Sequence, residues 1–302
     1  MVDNGAGGAE IEAVERLERV ELVSPGRNLG YAAGSDLGAE KATGDVLVFM
    51  NPDTVARPGA LSKLAKVLDD PEIGAAMPRL LLLEEPELLN SDGNVLHFTG
   101  LAWVGGHGRP AGRLTEPREI AYASGAALAI RAEVFRDVGG FTKELFLYHE
   151  DVELGWRLRM RGLRVVAAPG ADMLHDYEFS RNPRKHYFLE RNRLVFVLTS
   201  YSSRLLALVA PVLVALELAV AVRALREGWL RQKFAGWAWC IRHADWIRAH
   251  RRDVQAGRRV PDRTPAEFLS ATVDPAVLDV PAAVRAVNPI LRLYWTGVRR
   301  LL

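Results

Sequence analysis

The sequence predicts an α/β protein, in which a mostly parallel sheet flanked by helices leads into a helical C-terminal region. Three observations predict it. The near-continuous apolar runs "DVLVFM" and "IGAAMPRLLL" read as strands buried on both faces. Helical spacings alternate with such runs, as in a doubly wound sheet. After about residue 186 no convincing strand follows, and long helical patterns take over.

The elements read in order. "MVDNGAGGAE" looks like the end of a strand entering a Gly-rich turn, and Ile11 to Val20 has helical spacing. A short strand at Val20–Val23 and a loop precede a small-residue helix from about Ala32 to Ala42, which Gly44 closes. Asp45 to Asp53 is a buried strand that ends in polar residues. "RPGALSKLAKVLDDP" is an amphipathic helix with Pro at both ends, and "IGAAMPRLLL" is another strand. Residues 84–120 are rich in Gly and Pro and read as an irregular insertion or hairpin region. "AYASGAALAIRAEVFRDVGGF" gives a strand, a short helix and a Gly-Gly turn. "ELFLYHEDVELGWRLRMRG" starts a helix with acids, and "RVVAAPGADMLHD" is one more strand. Ligands of such sheets sit at the carboxyl ends of strands, where Asp3, Asn51, Asp53 and His175 all fall.

Composition sets limits. The 302 residues suffice for one large domain with an appendage, and the net charge of +2 makes no global case for nucleic acid. The single cysteine, Cys240, excludes an internal disulfide and fits a reducing compartment. The polar, acidic N-terminus shows no signal peptide. Basic residues thicken after about residue 180, pointing to an anionic membrane surface. Leu205 to Val222 is apolar except for Glu217. Pro211 and the flanking Arg204, Arg223 and Arg226 argue against a plain membrane span. Trp229, Trp237, Trp239 and Trp246, interleaved with Arg, Lys and His, favour the headgroup layer. Helices lying in the membrane face are therefore expected; a true span, or a soluble packing region or oligomer interface, are the alternatives. The expected divisions are 1–186 for the α/β domain, 187–260 for the membrane-associating helices and 261–302 for a tail with a final basic helix.

Two stretches carry chemistry. In "FMNPDT" a strand delivers Asn51 and Asp53 to its carboxyl edge, with Pro52 between them. Oxygen donors so placed suit Mg²⁺ or Mn²⁺ with phosphate oxygens, although Asn-Pro-Asp is also ordinary turn chemistry. In "PGRNLGYAAGSDLG", Gly26, Gly30 and Gly34 surround a helix start beside Arg27 and Asn28. Backbone there could approach a nucleotide phosphate, or merely form a helix-entry loop. Glu150, Asp151 and Glu153 read alone as helix-start acids. Glu153 and Arg157 read as a surface i,i+4 pair, and Trp156 and Leu158 as core. His97, His107 and His149 receive no role.

The order of these motifs is the specific signal. VDN, GRNLGYAAG, a strand ending in NPDT, SGA, FLYHEDVELGWRLRMRG and a strand ending at His175 together resemble the family 2 glycosyltransferases of the GT-A fold. Within them the chain is similar to the bacterial rhamnosyltransferase-like, cell-envelope branch. The resemblance covers roughly Met1 to Asn192. It implies that Asp3 contacts the nucleotide base and that Arg27, Asn28 and Gly30 belong to the loop bracketing base and ribose. It implies that Asp53 ends the Asp-X-Asp metal motif, with Asn51 in the place of its first Asp, and that His175 completes the metal shell. The resemblance also implies that Ser124 and Gly125 lie where donor sugar and acceptor meet. By the same resemblance Asp151 is expected to be the catalytic base, with Glu150 orienting it or the acceptor. The implied partners are a nucleotide-diphospho-sugar, dTDP-rhamnose first and UDP-sugars next, and a lipid-linked or cell-envelope glycan; a homo-oligomer is compatible. Members begin with a strand such as "VSVVIVNYN" and a helix, so this chain is expected to begin inside the family's second strand, without that first unit. Two rivals stay open: a catalytically incomplete membrane-associated scaffold, and a nucleotidyltransferase.

Overall fold

The computed structural model describes residues 1–176, 183–274 and 282–302. Helices α1 (Gly8–Glu15) and α2 (Gly30–Lys41) come first, and Val2 and Val23 form a lone parallel bridge beside them. Next come β1 (Val46–Met50), β2 (Thr54–Ala56), α3 (Ala60–Val67) and β3 (Ile73–Leu82). The Gly- and Pro-rich stretch holds short strands β4 (Leu89–Ser91), β5 (Asn94–His97), β6 (Ala102–Val104) and β7 (Arg118–Glu119). Strand β8 (Ala127–Arg131), α4 (Ala132–Asp137), α5 (Glu150–Met160) and β9 (Arg164–His175) complete the α/β part. Then follow α6 (Lys185–Ser200), α7 (Ser203–Arg226), α8 (Leu230–Arg242), α9 (Ala244–Ala256), α10 (Arg263–Ala266), the two-residue β10 (Leu269–Ser270) and α11 (Asn288–Leu301).

A seven-stranded sheet in the order β1-β8-β3-β9-β2 forms the centre, with β4 beside β3 and β7 beside β9. The expectation of a mostly parallel sheet is corrected. Among the described residues only β3 and β9 run parallel within it; β1–β8, β3–β8, β2–β9, β3–β4 and β7–β9 are antiparallel. An apolar run reports that a strand is covered on both faces, and says nothing of the direction in which its connections return it. The sheet is mixed and flanked by helices. Every residue of β3 from Ile73 to Leu81 is buried, including Arg79, which pairs with Asp172 of β9 at 2.8 Å.

Helix α5 is the hinge between two cores. Leu154 and Leu158 face the sheet, together with α2, α3 and α4. Val152, Trp156 and Met160 face the C-terminal helices, joining Phe196, Leu205 and Trp295. Trp156 and Leu158 are thus core, as their sequence reads. Glu153 and Arg157 are not a surface pair: both are buried 3.8 Å apart, and His250 of α9 places Nε2 2.6 Å from Glu153 Oε1. Helical spacing alone could not show that α9 covers this face.

The C-terminal helices interlock through a buried ionic cluster. Arg193 of α6 binds Glu190 at 3.0 Å and Glu217 of α7, while Lys233 of α8 binds Glu217 at 2.7 Å and Glu190. Trp237 Nε1 donates to Glu217 Oε2 at 2.7 Å. Burial alone would raise Glu190, but the Arg193 and Lys233 charges more than offset it and hold its carboxyl down at about 2. Two acids and two bases balance, so removing one leaves a buried charge uncompensated. Lys233→Met is expected to destabilise the protein by about 3–5 kcal/mol in urea denaturation. The wild type should also lose stability as pH falls from the ordinary Glu value of 4.5 toward 2.

Candidate active site

Strand β1 ends in a turn that the sequence dictates. Asn51 N–H donates to the Ala126 carbonyl at 2.9 Å, and the Asn51 carbonyl accepts from Thr54 N–H at 3.2 Å and the Thr54 hydroxyl at 2.6 Å. Strand β2 then pairs with β9 so that Thr54 lies opposite His175. That register sets Asp53 Oδ1 3.4 Å from His175 Nε2. The second imidazole nitrogen, Nδ1, lies 2.9 Å from Asn90 Oδ1 of β4. Donation from Nδ1 to Asn90 would leave the Nε2 lone pair directed at Asp53. Asp53 Oδ1 is buried and has no hydrogen-bond donor among the described residues. An uncompensated carboxylate oxygen beside an imidazole fits a divalent cation, Mn²⁺ better than Mg²⁺ because of the nitrogen. Among the described residues no three His, Cys, Asp or Glu side chains gather into a ready-made metal cluster.

A second loop system carries Asp3, Arg27, Asn28 and Gly30. Asp3 Oδ1 accepts from Gly5 N–H and Ala6 N–H at 2.9 Å, which holds this exposed carboxyl below its ordinary value. Asn4 ties the turn to the other loop: its Oδ1 accepts from Leu29 N–H at 2.6 Å and its Nδ2 donates to the Gly30 carbonyl at 2.9 Å. Asn28 Oδ1 accepts from Gly30 N–H at 2.8 Å, and the Arg27 side chain is exposed beside it. Gly30 has φ +78°, and a Cβ there would lie 2.4 Å from the Phe146 carbonyl oxygen. Only glycine fits both demands.

Phe146 opens the third component, the loop ahead of α5. Phe146, Tyr148 and His149 have φ of 65°, 69° and 69°, three of the four non-glycine residues with positive φ among those described. Such conformations cost energy and persist only where the surroundings impose them. Here Asn192 of α6 imposes them: its Nδ2 lies 2.9, 2.8 and 2.7 Å from the carbonyl oxygens of Leu145, Leu147 and Tyr148. Arg191 donates to the Glu144 and Leu145 carbonyls at 2.9 and 2.7 Å, and His149 Nε2 reaches the Gly100 carbonyl at 3.0 Å.

The loop delivers Glu150 and Asp151 to the first turn of α5. Asp151 Oδ2 accepts from Gly125 N–H at 2.9 Å, and Oδ1 from Val152 N–H at 2.8 Å. Tyr31 donates its hydroxyl to the Gly125 carbonyl at 2.6 Å, and Ser124 Oγ accepts from Ala126 N–H at 3.3 Å. Burial pushes Asp151 up to about 6, against the pull of its two backbone hydrogen bonds. Burial, then the Asp151 charge, drive Glu150 well above the ordinary carboxyl range, and its Oε2 has no partner among the described residues. Burial thus raises both adjacent carboxyls, Glu150 with the Asp151 charge adding to the effect.

The residues singled out from sequence lie along one path of contacts. It runs from Asp3 through Asn4 to Gly30, Phe146, Glu150 and Asp151, then through Gly125 and Ala126 to Asn51, Asp53 and His175. Four further residues emerge only from the structure: Asn4, Tyr31, Asn90 and Asn192. Asn4 stood in the VDN motif; the other three act across 85 to 94 or 44 to 47 residues of sequence and left no local signal.

Asn192→Leu removes the donors to three loop carbonyls and should cost about 2–4 kcal/mol in urea denaturation, with faster amide exchange at the start of α5. Glu150→Gln should behave oppositely. A carboxyl raised in the folded state binds its proton more tightly than the unfolded chain does. The wild type therefore loses stability as pH rises above the ordinary Glu value of 4.5, and the variant lacks that loss. Melting curves should coincide near pH 4 and separate at higher pH, with the variant the more stable.

The profile of glycosyl transferase family 2 matches residues 1–139. An N-acetylglucosaminyl-diphospho-decaprenol L-rhamnosyltransferase of Mycobacterium tuberculosis is 31% identical over 214 residues, which is 62% of this chain and 69% of that protein. The O-antigen biosynthesis protein RfbC of Myxococcus xanthus is 32% identical over 171 residues, 53% of this chain; the match spans only 13% of that longer protein. The crystal structure of GalNAc-T7 with UDP, GalNAc and Mn²⁺ superposes with a TM-score of 0.53 at 17% identity, over 66% of this chain and 41% of that one. That likeness shows a GT-A fold. With its motifs in order, its fold matched and a relative 31% identical over most of that relative's length, the chain belongs to glycosyl transferase family 2.

Proposed function

We propose that this chain is an inverting, metal-dependent glycosyltransferase. In this reading it moves a sugar from a nucleotide-diphospho-sugar to a lipid-linked or cell-envelope glycan at the cytoplasmic face of the membrane. The observation that carries the reading is the unequal pair Glu150–Asp151, hydrogen-bonded through Gly125 to the loop that also holds the end of β1. Rhamnose from dTDP-rhamnose is the first donor by likeness to the mycobacterial relative, and UDP-sugars come next. In this reading residues 1–186 carry the transfer, and 187–260 with the tail 261–302 carry the membrane.

The residues divide the work. Asp3, Arg27, Asn28 and Gly30 bracket base and ribose, and backbone around Gly30 permits close approach. Ser124 and Gly125 border the sugar. Asp53 and His175, with Asn51 beside them, would hold the cation, Asn90 keeping the imidazole in register. When bound, the cation supplies positive charge against the departing diphosphate. Asp151 receives the proton of the acceptor hydroxyl as that oxygen bonds to the anomeric carbon. The bond from the same carbon to the diphosphate oxygen breaks, and the nucleoside diphosphate leaves from the opposite face, inverting the configuration. Burial makes Asp151 a stronger base than a free carboxylate, and the same burial disfavours a second negative charge on Glu150 beside it.

Asp151→Asn should lower kcat by about 10²–10⁴-fold with little change in nucleotide binding. The wild-type rate should fall as pH drops through about 6, where Asp151 takes up a proton. Product analysis decides the reaction class. Free nucleoside diphosphate equal to the glycoside formed is expected, and pyrophosphate would mean nucleotidyl transfer. Full activity of the Asn variant would remove Asp151 from the base role.

A further inference from the structure

Helix α7 presents a contradiction. It is 24 residues long and apolar enough to cross a membrane, yet only 17% of its most apolar stretch is buried. Its two sides explain why. One side packs on the protein near both ends: Leu205 and Ala224 are both fully buried, and 19 residues of helix place them about 28 Å apart. Between them Glu217 is tied to Arg193 and Lys233. The other side carries Val214, Leu218, Val222 and Leu225, between 49% and 66% exposed. At 3.6 residues per turn these four form one stripe, facing away from Leu205 and Val209.

Helix α8 extends the stripe. Trp237 donates to Glu217 and packs edge-on to Phe234 at 5.3 Å, so this side of α8 adjoins α7. Phe234 is 51% exposed and Ile241, two turns on, is 76% exposed. Lys233 and Gly236, on the opposite side, are buried against the body of the protein. Contiguous apolar surface of this kind marks a binding face. Its margin is basic: Arg226, Arg231 and Arg242 are exposed and flank the stripe by helical position. The one carboxylate within α7 and α8, Glu217, is half-buried and held by Arg193 and Lys233, and Glu227 just beyond α7 pairs with Arg223 at 2.7 Å.

We propose that the outer face of α7 and α8 docks onto an anionic lipid bilayer, with α7 lying in the plane of the membrane rather than crossing it. This rests on the membrane-side reading above and names the surface that meets the lipid. A spanning α7 would carry the Glu190–Arg193–Glu217–Lys233 cluster and the packed helices α6 and α8 into hydrocarbon with it. Burial along only one side places the helix at the boundary, its stripe in the acyl layer and its arginines among phosphates. A second copy of the chain fits the face less well. Two-fold self-association would set arginine margins against each other, with no free carboxylate on α7 or α8 to answer them.

Sedimentation of the full chain with vesicles tests this. Binding is expected to phosphatidylcholine vesicles that contain phosphatidylglycerol, with the Trp fluorescence shifted to the blue. The pair Leu218→Glu and Ile241→Glu should weaken binding by about tenfold or more. Arg226→Glu with Arg231→Glu should abolish only the preference for phosphatidylglycerol. All four positions are exposed, so unchanged melting curves are expected and certify the variants as folded. Carbonate washing of membranes from an expressing host should release the protein. Retention after the wash, or vesicle binding indifferent to all four substitutions, overturns the proposal. So does a light-scattering dimer that Leu218→Glu dissociates in a chain that binds no vesicles. Nucleoside diphosphate release, measured on the same protein, separates the two readings. Sugar transfer without vesicle binding defeats the docking face alone, and vesicle binding without transfer defeats the transferase reading alone.

Discussion

The grip of Asn192 on the loop before α5 is the constraint on which the rest of the site depends. Three residues there, Phe146, Tyr148 and His149, sit in left-handed backbone that their side chains disfavour. One amide nitrogen within 2.9 Å of three carbonyl oxygens holds them there. The contorted loop has two consequences. It thrusts the Phe146 carbonyl toward the Arg27–Gly30 loop, where only a residue without Cβ fits. It also turns the chain so that α5 begins with Glu150 and Asp151 at the point where Gly125 can donate to Asp151. A relaxed loop would give the same helix and the same acids without that meeting.

Depth then sorts the two acids. Both lie in the first turn of α5, where the helix dipole favours negative charge. Burial opposes it, and opposes it unequally. Asp151 has two backbone N–H donors, whereas Glu150 Oε2 has none among the described residues. The two backbone donors restrain the rise at Asp151, while burial and the Asp151 charge drive Glu150 well above the ordinary range. Adjacent residues of like chemistry thereby sit in different electrostatic surroundings, with the Glu153 charge adding to the rise at Glu150.

Much of this was legible in the sequence. The apolar run Ile73–Leu82 is the central strand, and the polar exits of β1 and β9 do meet at Asp53 and His175. Sheet direction was not legible, because an apolar run is the same read from either end. Glu153 and Arg157 misled for a related reason: helical spacing shows that two residues share a face, and says nothing of what covers it. His250, 97 residues away, is part of that cover. Asn90 and Asn192 stand in ordinary stretches of strand and helix, and their importance lies entirely in partners that the chain brings back from far away. The stripe on α7 misled least. Its apolar length and its Glu217 pulled the reading in opposite directions, and both are real, on opposite sides of one helix.

Helix α6 joins the membrane-side helices to the chemistry within four consecutive residues. Arg191 and Asn192 hold the contorted loop. Glu190 and Arg193, the residues either side of them, bind Lys233 of α8 and Glu217 of α7. The same turn of helix therefore faces both ways. A buried ionic cluster tolerates little displacement, because shifting one partner leaves its counter-charge exposed to a low dielectric. Any movement of α7 and α8 against α6 must therefore carry Asn192 with it or break the cluster. Helices α7 and α8 and the loop that presents Asp151 are thus tied through one turn of α6, and in the proposed reading an acceptor held at a bilayer against α7 and α8 would meet a base whose position that tie sets.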